Sequence, residues 1–149
     1  MIGVEDGLAA VDEQAQAIRE TMRFIHEHPE LGHEEHACAT YLCEKLTAGG
    51  LEVERGVAGM ATAFRATLRG AHPGRTVGFV CLYDAVAAVR PDGRTDAVHS
   101  CGHGPIAGAV AGAALALSGL RERLAGTVVV VGCPADEILP HEHPGSSLS

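Results

Sequence analysis

Five side chains in this chain of 149 residues are of types and spacings that could do chemistry together: Asp84, the pair Cys101 and His103, and the adjacent acids Asp136 and Glu137. A thiolate and an imidazole two residues apart make a good ligand pair for zinc or a similar divalent metal, and in an extended segment both would project to the same side. Glu137 would be a third ligand. Three protein ligands with one open position is the catalytic pattern, whereas structural zinc is closed by four. Asp136, next to Glu137, could then take a proton from a water at the open position. A divalent metal there would make that water easier to deprotonate and would polarise a carbonyl under attack, which together describe hydrolysis. Taken singly these residues have plainer readings: a buried small hydrophobe for Cys101, a turn cap for Asp84, loop acids for Asp136 and Glu137. Their grouping argues for chemistry.

The elements that must position them follow from periodicity. Val11, Ile18, Met22 and Ile25 recur at helical spacing and predict a helix over 11–26, stopped by Pro29. Ala37, Tyr41, Leu42 and Leu46 predict a second helix over 34–46, with Gly49-Gly50 as its stop. Alternating segments at 51–57 and 62–68 read as strands. The nearly continuous apolar run 76–83 reads as a central strand buried on both faces. Pro91-Asp92-Gly93 marks a loop, Gly104-Pro105 opens a helix over 104–120, and Gly126 precedes a strand over 127–132. Strand 76–83, helix 104–120 and strand 127–132 form one βαβ crossover, which makes the two strands parallel. Asp84, Cys101, His103, Asp136 and Glu137 would then share the carboxyl edge of the sheet, where open α/β folds place their sites.

Composition narrows the alternatives. With 46% apolar residues the chain can build one modest core. The net charge of −8 and the scattered Lys and Arg residues argue against a nucleic-acid partner. The apolar stretch 106–120 is too short to span a membrane. Its small residues instead predict a helix lying close to a sheet, with Gly108 and Gly112 each costing roughly 1 kcal/mol relative to alanine. The five cysteines show no paired spacing, and the N-terminus has Glu5 and Asp6 where a basic leader would stand, so a reduced, cytoplasmic chain is expected. Cys38, Cys43, Cys81 and Cys133 read as core residues. His33 and His36 sit one helical turn apart, but an exposed polar helix start explains them more simply than a second metal site. A single domain is expected over 1–137, followed by an unstructured tail over 138–149.

Four motifs carry a family resemblance. Phe24-Ile25-His26-Glu27-His28-Pro29-Glu30-Leu31-Gly32, Tyr83-Asp84-Ala85, His99-Ser100-Cys101-Gly102-His103 and Gly132-Cys133-Pro134-Ala135-Asp136-Glu137 resemble, in order and spacing, the N-terminal part of the aminoacylase and dipeptidase family of metallopeptidases. That family includes aminobenzoyl-glutamate, hippurate and auxin-conjugate amidohydrolases. The resemblance covers about residues 10–138. It implies a partial three-layer α/β/α sandwich with a mixed sheet, as in zinc exopeptidases. It also implies Cys101, His103 and Glu137 as metal ligands, Asp136 as general base and Asp84 as the carboxylate that orients a ligand. The cofactor would be zinc or manganese, two ions per site in full-length members, and the reaction hydrolysis of an amide bond in an N-acyl amino acid or dipeptide. Homodimers are implied for full-length members only. The chain departs from the family in having Asp136-Glu137 where Glu-Glu is usual, leucine at position 82 where an acid or histidine is common, and less than half the family's length. The competing expectation is therefore a non-catalytic fragment that is at most a metal-binding module.

Overall fold

The computed structural model describes residues 2–137, so the tail expected over 138–149 lies outside the described residues. Three helices lead the chain: α1 (Val4–Glu13), α2 (Ala15–Glu27) and α3 (His36–Ala48). The single helix expected over 11–26 is two helices separated at Gln14, whose backbone departs from helical geometry, and the first begins well upstream of Val11. Then come β1 (Glu52–Arg55), β2 (Phe64–Arg69), β3 (His72–Leu82), a hairpin of β4 (Val86–Val89) and β5 (Thr95–Val98), α4 (His103–Gly119) and β6 (Ala125–Cys133).

The main sheet has the order β1-β2-β6-β3, with β6 antiparallel to β2 and parallel to β3. It is mixed, as expected, and α4 provides the crossover between its parallel pair. Phe64, Ala66 and Leu68 of β2, Val128 and Val130 of β6 and Cys81 of β3 are buried on one face together with Leu42 and Leu46 of α3 and Ala107, Ala111 and Ala114 of α4. Among the described residues the opposite face has no helix on it, so this part of the sandwich has two layers.

Strand β3 departs from expectation. Among the described residues it is an edge strand, not a central one, and Val77 and Val80 are 53% and 55% exposed. An unbroken apolar run marks a strand with two faces to cover, and here only one is covered. The β4–β5 hairpin is a further departure. Its turn signal is nonetheless present, since Pro91-Asp92-Gly93 lies between the two segments that pair antiparallel from Val86↔Val98 to Val89↔Thr95.

Helix α4 uses its small residues differently from the sequence expectation. Ala107, Ala111 and Ala114 face the core, but Gly108 and Gly112 face α2 instead of the sheet. A Cβ on Gly108 would lie 2.5 Å from Met22 Cγ and 3.0 Å from the Ile18 carbonyl oxygen, and one on Gly112 would lie 2.3 Å from Ile18 Cγ1. Close approach of the two helices is what the glycines supply. Gly7, inside α1, is different: a Cβ there would meet nothing within 4 Å. Gly112→Ala is therefore expected to destabilise by about 1–3 kcal/mol through overpacking, despite better helix propensity, while Gly7→Ala stabilises by up to ~1 kcal/mol. Urea-denaturation midpoints of the two variants test this contrast.

Candidate metal centre

Strand β3 ends at Leu82, and the chain continues through Tyr83 to Asp84. Strand β6 ends at Cys133, paired with Leu82, and continues through Pro134 and Ala135 to Asp136 and Glu137. The parallel register thus carries the acids of both strand ends to one place. Asp84 is fully buried, and its Oδ2 accepts the Glu137 backbone N–H at 2.9 Å.

The loop after β5 brings in the other two groups. Cys101 and His103 do converge, but not through an extended segment as expected. Gly102 sits at φ 94 in the left-handed region and is the N-cap of α4, making His103 the first helical residue. Glycine adopts that conformation without the Cβ penalty that other residues meet. The Cys101 Sγ, a His103 ring nitrogen and a Glu137 carboxylate oxygen all lie within 4.8 Å of one another.

His103 is the centre of the arrangement, at 3% exposure. Its Nδ1 lies 2.8 Å from the Asp84 carbonyl oxygen and 3.0 Å from Asp84 Oδ1. Its Nε2 faces the other way, 3.4 Å from both Asp136 Oδ2 and Glu137 Oε1. A proton on Nδ1 is therefore held against Asp84, and Nε2 is the nitrogen turned toward the remaining acids. Burial lowers the His103 pKa, but the hydrogen bonds and charge of Asp84 outweigh it and the net shift is upward. Asp136 is also shifted upward, by burial first and then by the charge of Asp84. The Cys101 thiol is pushed up to about 11 by burial and by its hydrogen bond to Glu137. That is opposite to a thiolate activated by the helix N-terminus and His103.

One carboxylate oxygen at the site, Asp136 Oδ1, is buried with no hydrogen-bond partner among the described residues, as are both ring nitrogens of His99. In the sequence His99 stands out only as part of a motif. Its ring lies 6.4 Å from that of His26, and burial together with the nearby His103 and His26 shifts its pKa downward. Among the described residues, His33 and His36 belong to no group that could hold a metal; His33 has φ 67 and His36 opens α3.

The His26–Gly32 motif supports the site from behind. The two Glu30 carboxylate oxygens accept the N–H groups of Ala37 and Cys38 at 2.9 Å each, capping α3. The Glu30 carbonyl accepts the Ala85 N–H at 2.8 Å, and Leu31 bridges to Ala85 beside Asp84. Glu35 is fully buried, and sequence reasoning misses it. It accepts the Thr62 hydroxyl and the Ala135 N–H, both at 2.8 Å. Ala135 has φ 60, a left-handed conformation that costs a non-glycine residue roughly 1–2 kcal/mol. Nothing local in the sequence separates Glu35 from its neighbour Glu34.

Known proteins resemble this chain in sequence and in fold. The chain is 32% identical over 124 residues to thermostable carboxypeptidase 1 of Saccharolobus solfataricus, covering 77% of this chain and 30% of that protein. It is 29% identical over 137 residues to an N-acyl-L-amino acid amidohydrolase of Geobacillus stearothermophilus, covering 87% of this chain and 36% of that protein. A dinuclear metal-binding peptidase of the M20 family from Bacillus subtilis superimposes with a TM-score of 0.71 at 26% identity, over 83% of this chain and 36% of that one. Over this part of its length, the chain resembles a peptidase of the M20 family. It spans about a third of the length of the curated relatives it matches. No protein-family model matches it.

The M20 likeness directs a titration experiment at the buried imidazole. Asp84→Asn is expected to lower the pKa of His103, read by NMR in the metal-free chain. A raised folded-state pKa gives stability that is present below the ordinary imidazole range and lost as pH rises through the folded value. The stability advantage of the native chain over Asp84→Asn should therefore be larger near pH 5.5 than near pH 8, in parallel urea titrations.

Proposed function

We propose that this chain is the metal-binding part of a metal-dependent amidohydrolase or peptidase that cleaves an amide bond in an N-acyl amino acid or dipeptide. The observation that carries the reading is the convergence of thiol, imidazole and carboxylate donors within 4.8 Å at the carboxyl ends of two parallel strands. The donor set fits a divalent metal. His103 has its Nδ1 committed to Asp84, leaving Nε2 for a ligand, and the buried Asp136 Oδ1 stands without a partner among the described residues beside it. Zinc and manganese both suit a set of sulfur, nitrogen and oxygen donors, with zinc favoured by the thiolate. Five free cysteines fit a reducing, cytoplasmic setting.

Cys101, His103 and Glu137 would hold the ion, and Asp84 would fix the tautomer and direction of the imidazole. When bound, the ion supplies water activation and polarisation of the scissile carbonyl. Asp136 acts as general base, taking a proton at its carboxylate and returning it to the leaving amine. Its upward-shifted pKa suits that task, since a base with a pKa nearer the working pH transfers protons more effectively in both directions. The free thiol of Cys101, with its pKa near 11, must lose a proton to become a ligand. Metal affinity should consequently rise with pH, by up to about tenfold per unit between pH 6 and 8.

A second reading is favoured by the number of donors: three residues form the one group found among the described residues, against a relative that binds two ions. In that reading the chain binds metal but does not turn over. The deciding experiment measures bound zinc, manganese and cobalt on the purified chain and assays N-acyl amino acid hydrolysis with and without added metal. The enzyme reading expects metal-dependent turnover that is abolished in Glu137→Ala and reduced roughly 10²–10⁴-fold in Asp136→Asn. Stoichiometric metal without turnover establishes the second reading, and absence of bound metal removes both.

A further inference from the structure

We propose that Glu35 is a positioning residue of the metal centre, whose hydrogen bond to the Ala135 N–H sets the left-handed turn that aims Asp136 and Glu137 at His103. This rests on the metal-centre reading and adds to it a residue that touches none of the proposed ligands. Glu35 is the N-cap residue of α3, yet its carboxylate makes no cap hydrogen bond to that helix; Glu30 performs that task from upstream. The carboxylate is instead spent on two distant groups, with Oε2 accepting from Thr62 and Oε1 from Ala135.

The geometry gives those two bonds a function. The Tyr83 hydroxyl donates to the Thr62 carbonyl at 2.7 Å, the Thr62 hydroxyl donates to Glu35, and Glu35 receives the Ala135 N–H. This buried chain joins the residue before Asp84 to the residue before Asp136. On the other side, the Glu137 N–H donates to Asp84 Oδ2. The segment Ala135 to Glu137 is thereby anchored at both ends, by one buried carboxylate each. Ala135 holds φ 60 without being glycine, so some other interaction must impose that conformation, and the bond from Glu35 acts at that residue's own nitrogen. A full negative charge or a neutral carboxyl on Glu35 can accept both bonds, so burial, which shifts its pKa upward, does not remove the anchor.

The test uses cobalt(II) bound to the full chain, following affinity by chelator competition and ligand geometry by the d–d and thiolate charge-transfer bands. In Glu35→Ala both bonds are lost, and in Glu35→Asp the shortened carboxylate cannot span Thr62 and Ala135 together. Each is expected to weaken cobalt binding about 10–100-fold and to alter the d–d bands. In Glu35→Gln the amide oxygen accepts from Ala135 while the amide nitrogen donates to Thr62 Oγ1, and affinity is expected to return to within about twofold of native. If the anchor works through Glu137, Glu35→Asp should change affinity by less than about twofold when Glu137 is already alanine. Glu35→Asp decides the matter if Glu35→Ala does not fold. Native affinity and spectrum in Glu35→Asp, or an equal loss with and without Glu137, overturns the positioning role while leaving the metal centre standing. A native chain that binds no cobalt overturns the metal centre itself, and this inference with it.

Discussion

The parallel pairing of β3 with β6 is the constraint on which the candidate site depends. With Leu82 opposite Cys133, both strands run out at the same level, and the next residues of each chain segment must turn within hydrogen-bonding reach of one another. That is why the Asp84 carboxylate can receive the Glu137 N–H across a sequence separation of 53 residues. A register shift of one residue would move every side chain of β6 to the other face, exposing Val128 and Val130 and driving Val129 and Val131 inward. The alternation of burial along β6 therefore protects the site as well as the core.

Parallel strands require a crossover, and here it also carries ligands. Helix α4 begins at His103, so the element that closes the connection delivers an imidazole at its first residue. Its close contact with α2 through Gly108 and Gly112 fixes where that first residue sits relative to the sheet. The electrostatic result is one buried imidazole among three acids, with the buried Asp84 behind it and the half-buried Asp136 and exposed Glu137 in front. Around the buried imidazole and Asp84, such a concentration of negative charge is unfavourable unless protons or a cation neutralise it. The upward shifts of Asp136 and His103 are the protonic answer to that demand, and a divalent cation is the alternative answer.

Much of this is legible in the sequence, and the failures have physical causes. The βαβ unit is legible because apolar runs, a proline near a helix start and turn glycines are local signals. The break at Gln14 is not, since Val11 and Ile18 continue a helical spacing across it and the departure is in the backbone. The placement of β3 is misleading because an apolar run records that two faces are suited to burial, not which strand or helix covers them. Gly102 reads as part of an extended link, though its glycine identity is compatible with the left-handed turn that brings Cys101 and His103 together. Glu35 cannot be found from sequence, because its partners Thr62 and Ala135 lie far from it along the chain, the latter by 100 residues.

The sequence by itself determined the inventory: a thiol, an imidazole and three acids, placed at strand ends and a helix start by patterns with periods of two and of three to four residues. Tertiary structure alone decided which of those groups meet, which nitrogen of His103 faces Asp84, and which buried carboxylate holds the left-handed turn at Ala135. The division follows from the range of the interactions. Backbone hydrogen bonding within helices and the alternation of strands act between near neighbours and leave a periodic trace in the chain. Strand register, helix contact and buried polar anchors act between residues remote in sequence, and they become specific only when the core has closed around them.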